Sequence, residues 1–96
     1  MARVVYSANA LANLQRAFSS LEELAPDAAL AAVEAIRTAI EMLEYHPLIG
    51  RIVTEDLREL VISFGRTGYL ALYRFLPARG EVRILAIRHQ RELDYP

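Results

Sequence analysis

The feature that most constrains this chain is a change of hydrophobic period partway along it. Up to Tyr45 the apolar side chains recur every three or four positions, the spacing of one face of a helix; from Leu57 they alternate every second position, the spacing of a half-buried strand. In the first half, Leu11, Leu14, Phe18, Leu21 and Leu24 form one stripe and Leu30, Val33, Ile36, Ile40 and Leu43 a second. "APDAA" separates them: Pro26 stops the first helix, and Asp27 is placed to cap the next. Pro47 disfavours helical geometry at His46, so the second helix should end near Tyr45. Two amphipathic helices joined this tightly make an antiparallel helical hairpin.

Before the first stripe, "RVVYS" reads as a short strand ending at Ser7, a residue suited to capping a helix. After the hairpin come three strand-like runs. "LRELVISF" sets Leu60, Ile62 and Phe64 against Glu59, Val61 and Ser63. "YLALYRFL" follows the turn "GRTG", and "EVRILAIR" follows the turn "PARG", with Val82, Ile84 and Ala86 on one face and Leu85 and Ile87 on the other. Short turns imply an antiparallel meander. The expected order is β-α-α-β-β-β: an α+β fold with the helical hairpin across one face of a small antiparallel sheet and the first strand joining an edge. No internal repeat or dividing linker is present, so residues 1–96 are read as one domain.

Composition narrows the class. With 54% hydrophobic and 24% charged residues and no low-complexity tract, the chain should be globular rather than disordered. There is no cysteine, hence neither disulfide nor thiolate chemistry. No apolar run approaches the roughly 20 residues that span a bilayer, and the start lacks a signal-peptide core, so a cytoplasmic protein without membrane association is expected. The net charge of −1 conceals an asymmetry: residues 1–50 carry three arginines against six acids, residues 51–96 eight against six, and no cation is a lysine. That balance is too neutral for bulk duplex binding driven by counterion release.

Motifs for metal, phosphate-loop or serine-nucleophile chemistry are missing. The two histidines, His46 and His89, have no second ligand at helical or turn spacing. "FGRTG" is too short for a dinucleotide fingerprint, and no cofactor is expected. His46 is placed to interact with a helix end; Arg51, Glu55 and Asp56 read as a solvated loop, and Arg66 as an exposed turn tip. Arg74 interrupts an apolar strand on the face of Leu70 and Leu72, where it needs a partner, Glu59 or Glu81, or an open groove. The densest polar cluster is "RHQRELDY". In extended geometry Arg88 and Gln90 point one way, His89 and Arg91 the other. The cluster reads either as a solvated end or as an anion- or RNA-facing site, with arginines for phosphate, histidine for proton transfer and tyrosine for stacking or acid–base work. Tyr95, one residue from the last, is expected to be mobile unless a partner holds it.

"LRELVISFGRTGYLALYRF" followed by "VRILAIRHQRELDY", with "HPLIGR" after the second helix, resembles the RelE/ParE superfamily of toxins from type II toxin–antitoxin modules. The resemblance covers essentially the whole chain. It implies a growth-arresting, plasmid-stabilising toxin neutralised by an antitoxin from an adjacent gene. It also implies one of two targets. ParE-like members inhibit DNA gyrase by contact; RelE-like members are ribosome-dependent mRNA endonucleases. RelE-like nucleases usually carry an arginine after the "GY" of the middle strand, where this chain has Leu70. That favours the ParE-like reading, without catalytic residues, in which Arg74, Arg88, His89, Arg91 and Tyr95 contact target or antitoxin. In the nuclease reading His89 is the proton-transfer group, Arg88 and Arg91 bind phosphate, and Tyr95 stacks on a base or assists as acid or base.

Overall fold

The computed structural model describes all residues, Met1–Pro96. In chain order it contains β1 (Arg3–Tyr6), α1 (Ala8–Leu24), α2 (Pro26–Glu41), β2 (Arg51–Thr54), β3 (Leu57–Phe64), β4 (Thr67–Leu76) and β5 (Glu81–His89). The five strands form one sheet in the order β1-β5-β4-β3-β2. From β2 to β5 the strands are an antiparallel meander; β1 takes the far edge, as expected, and runs parallel to β5. The sheet is therefore mixed. It also has a strand more than anticipated: Arg51–Thr54 pairs with β3, and the turn Glu55–Asp56 uses a positive φ of 42° at Glu55.

The helices cover one face. Ser7 caps α1, its Oγ accepting from the Ala10 N–H at 3.0 Å. Asp27 does not cap α2. Ala25 occupies that position and Pro26 is the first helical residue, where its missing N–H costs nothing; Asp27 instead places its charge in the first turn. The packed stripes use smaller residues than expected. Ala10, Ala32, Ile36, Ile40 and Leu43 are buried in the core, Ala29 is fully buried too, and Leu11, Leu24 and Leu30 are exposed. Alanines let the helices approach the sheet closely, against Ile62, Tyr69, Ala71, Tyr73, Val82, Ile84 and Ile87.

Two local devices fix the site. The register of β5 slips against β4 between Leu72 and Tyr73, so that Leu85 is a bulge: Tyr73 faces Ile84 while Leu72 faces Ala86. The bulge reverses the expected facing beyond it. Ile87 turns into the helix-covered core and Ala86 to the outer face. Polar residues at the start of α1 satisfy the bulged backbone: Ser7 Oγ and Asn9 Nδ2 donate to Leu85 O at 3.1 and 3.0 Å, and buried Asn13 Oδ1 accepts from Ile87 N at 3.0 Å. The second device is Tyr73. Its hydroxyl, buried in the core, donates to Pro47 O and accepts from Gly50 N, both at 2.8 Å. A Cβ at Gly50 would lie 2.6 Å from the Tyr73 ring, so "HPLIG" is pinned to the core at a position only glycine fits.

Candidate functional site

The outer face of the sheet, opposite the helices, carries Arg3, Arg51, Arg74, Arg83 and Arg88. Paired residues of adjacent strands share a face, and the registers place Arg51, Glu59, Leu72 and Ala86 in one row, Val61, Leu70 and Arg88 in the next, and Leu57, Arg74 and Arg83 in a third. At the centre is Glu59, only 6% exposed although it stands in mid-strand. Its Oε1 accepts from Arg51 Nε at 2.9 Å and from the Arg51 Nη2 group; its Oε2 accepts from the Tyr95 hydroxyl at 2.5 Å. Arg88 Nη2 is 4.0 Å from the same oxygen, and its guanidinium lies 5.0 Å from the centre of the Tyr95 ring, a cation–π distance.

The electrostatics follow. Burial pushes the Glu59 carboxyl up, but the hydrogen bonds from Tyr95 and Arg51 and the charges of Arg51 and Arg88 outweigh it and hold the group below the usual range. Burial, then the hydrogen bond to Glu59 and its charge, raise Tyr95 well above an ordinary phenol. Near neutral pH Tyr95 is therefore a proton donor to a carboxylate and not a base. A second ion cluster lies at the other edge. Buried Glu81 is held low, first by the hydrogen bond from Arg3 and also by Arg83, against the opposing effect of burial.

Arg74 pairs with neither Glu59 nor Glu81. Those carboxylates face Arg51 and Arg3 directly across the neighbouring strand and are taken by them. Arg74 is registered with Leu57, and its Nε lies 2.9 Å from Asp56 Oδ2, an ion pair by distance in which that N–H is not aimed at the oxygen.

The "RHQRELDY" cluster is divided by the sheet. Arg88 and Tyr95 are on the outer face. His89 is on the helix side, its ring edge-on to Tyr69 at 5.2 Å. Both its nitrogens are engaged: Nδ1 accepts from Arg91 N at 3.1 Å, which leaves Nε2 to donate to Thr67 Oγ1 at 2.6 Å. It borders a cleft of about 360 Å³ under the overhanging α1, beside Arg16, Ser20 and Tyr69. Arg91 is exposed and contributes only its backbone to this arrangement. Nor does Tyr95 hang free; the chain itself holds it. Sequence reasoning passed over Arg51, taken for loop, and treated Glu59 only as a partner for Arg74. The available signal was a carboxylate alternating into the outward row of β3, between Leu57 and Val61.

This arrangement of a helical hairpin on one face of a five-stranded sheet matches the fold of solved toxin–antitoxin structures. The chromosomal ParDE system from P. aeruginosa superposes with a TM-score of 0.75 at 24% identity, covering 93% of this chain and 96% of that one. The intact E. coli RelBE toxin–antitoxin complex superposes with a TM-score of 0.65 at 12% identity, covering 96% and 100%. These likenesses establish the fold. The family model described as the ParE toxin of the type II toxin–antitoxin system, parDE, matches residues 4–94. Two toxins of Caulobacter vibrioides are related in sequence: Toxin RelE3, 41% identical over 68 residues (71% of this chain, 72% of the relative), and Toxin RelE2, 36% identical over 93 residues (97% and 100%). The chain belongs to the RelE/ParE superfamily of type II toxins.

Proposed function

We propose that the protein acts in the ParE-like manner, inhibiting DNA gyrase by contact, and that an antitoxin encoded beside it neutralises it in the cytoplasm. The observation that carries this reading is the division of the C-terminal cluster. Proton transfer and base stacking at one RNA phosphate need His89 and Tyr95 on one surface. Here the sheet separates them, His89 is engaged at both nitrogens, and Tyr95 donates to Glu59. Leu70, in the row of Arg88, occupies the position where a nuclease would want an arginine. Arg74, Arg88 and Tyr95 remain as contact residues; His89 and Arg91 would serve a partner on the other side of β5.

Exposed apolar side chains support an antitoxin partner. Leu11, Leu24 and Leu30 lie uncovered on the hairpin, and Leu48, Ile49, Ile52 and Val53 surround the unpaired edge of β2. An amphipathic helix or an added strand suits such surfaces. Purified protein should block gyrase supercoiling, and His89→Ala should leave toxicity intact. The second reading, a ribosome-dependent mRNA endonuclease, is favoured by the RelE names of the two Caulobacter relatives. Cleavage of ribosome-bound mRNA that disappears in His89→Ala, with supercoiling unaffected, would replace the first reading by the second. Failure to co-purify with the product of the adjacent reading frame would count against an antitoxin partner.

A further inference from the structure

The segment after β5 does not leave the sheet; it returns over it. The reversal is built at His89–Glu92, where Glu92 N donates to His89 O and Glu92 Oε1 accepts from His89 N, both at 3.0 Å. Tyr95 is thereby brought back to touch Arg88 on β5 and Glu59 on β3. Because β4 lies between those strands, the Tyr95 side chain must cross it. Leu70 of β4 and Ala86 of β5 sit on this outer face, outside the helix-facing core, yet are only 6% and 4% exposed.

Arg88 differs from the other arginines of the face. Arg51, Arg74 and Arg83 each pair with a carboxylate of the body of the sheet or its turn. Arg88 is bound mainly by the returning segment: its Nη1 donates to Glu92 O, its guanidinium stacks on Tyr95, and Glu59 stands off at 4.0 Å. Its Nε is buried and has no protein acceptor.

We propose that residues 92–96 form a strap, latched by Tyr95 on Glu59, that sequesters Arg88 and covers the middle of the outer face until it is lifted. Lifting the strap removes the stacked ring and the Glu92 carbonyl and opens Arg88, with Glu59 on one side of it, to an oxyanion beside an apolar row. The strap is thus an autoinhibitory contact within the chain, and it operates whichever target the toxin has.

Nuclear magnetic resonance on the full chain tests the closed state. Backbone {1H}-15N NOE values at Leu93 and Tyr95 should match those of β5 in the native protein and fall in Tyr95→Ala. Methyl resonances of Leu70 and Leu72 should shift in the same variant while those of Ile36 and Ile40 stay put. Random-coil values for Leu93 and Tyr95 in the native protein would overturn the strap. Inorganic tripolyphosphate, titrated at low salt, tests sequestration: Tyr95→Ala should bind it about tenfold more tightly than the native chain, and Tyr95→Ala/Arg88→Gln should lose the gain. Equal affinity of Tyr95→Ala and native protein, or a gain that survives Arg88→Gln, would overturn the role assigned to Arg88.

Discussion

The two faces of the sheet are held by different physics. The helix-covered face is packed from fully buried apolar groups, Ile36, Ile40, Leu43, Val82 and Ile84, with buried polar atoms of Tyr73 and Asn13 bonded to the backbone. The outer face has the same backbone but no helix over it. It is held by ion pairs around Glu59 and Glu81 and by one returning segment. Ion pairs whose arginines stay open to solvent, as Arg3 and Arg51 do, contribute little to stability, whereas buried methyl groups contribute much. The helix side therefore sets stability, and the outer side is free to be remodelled by a partner. Substitutions on the two sides should separate cleanly.

The largest loss should come from Ile36→Ala. It removes three carbons from a site with no exposure, and such changes cost about 2–5 kcal/mol, a large share of the stability of a domain this size. Urea denaturation should show the midpoint falling sharply with an unchanged slope. A loss under about 1 kcal/mol would mean that the helix side is looser than described. Tyr73→Phe should follow. It keeps the ring but leaves Gly50 N and Pro47 O without their partner, at about 1–3 kcal/mol. The same denaturation series measures it, and a cost no greater than that of an exposed substitution would show that the "HPLIG" loop finds other partners.

Ile36 belongs to a stripe the sequence made legible; the bonds of Tyr73 to Pro47 and Gly50 left no such pattern. The change of period revealed the hairpin, the meander and the outward parity of Glu59, because burial on one face imposes a periodic pattern. Strand β2 imposed none. All four of its residues are exposed at an edge, and an edge strand that begins with Arg51 and is followed by Glu55 and Asp56 cannot be distinguished from a loop by hydrophobicity. The bulge at Leu85 was equally silent in β5; its trace lay 74 to 78 residues upstream, in the polar Ser7, Asn9 and Asn13 at the start of α1. Without it, the cluster after Ile87 could be read as a group of residues but not divided between faces. The latch was hidden for a further reason. That Tyr95 returns to Glu59 is a contact between residues 36 positions apart, set by a turn with no glycine or proline in it.

The smallest effect, and the one most specific to the outer face, concerns Glu59→Gln. Glutamine keeps the shape and can still accept from Tyr95, but it offers Arg51 no charge, so the cost near neutral pH should be about 1 kcal/mol. Its pH dependence carries the information. Glu59 is held below its unfolded value, so its ionised form contributes stability that is fully present above the unfolded carboxylate range, near pH 4.5, and is lost as pH falls through the lower folded value. Tyr95 is shifted the opposite way; its contribution is complete below the unfolded value near 10 and disappears only as pH rises beyond it. Between those limits the difference between native protein and Glu59→Gln should be flat, and below pH 4.5 it should shrink towards zero. Substitution on the helix side has no such acid limb, since Ile36→Ala removes no titrating group. If the Glu59→Gln difference persisted unchanged in acid, Glu59 would be a neutral hydrogen-bonding group, and the latch would not be the ionic one that distinguishes the outer face from the core.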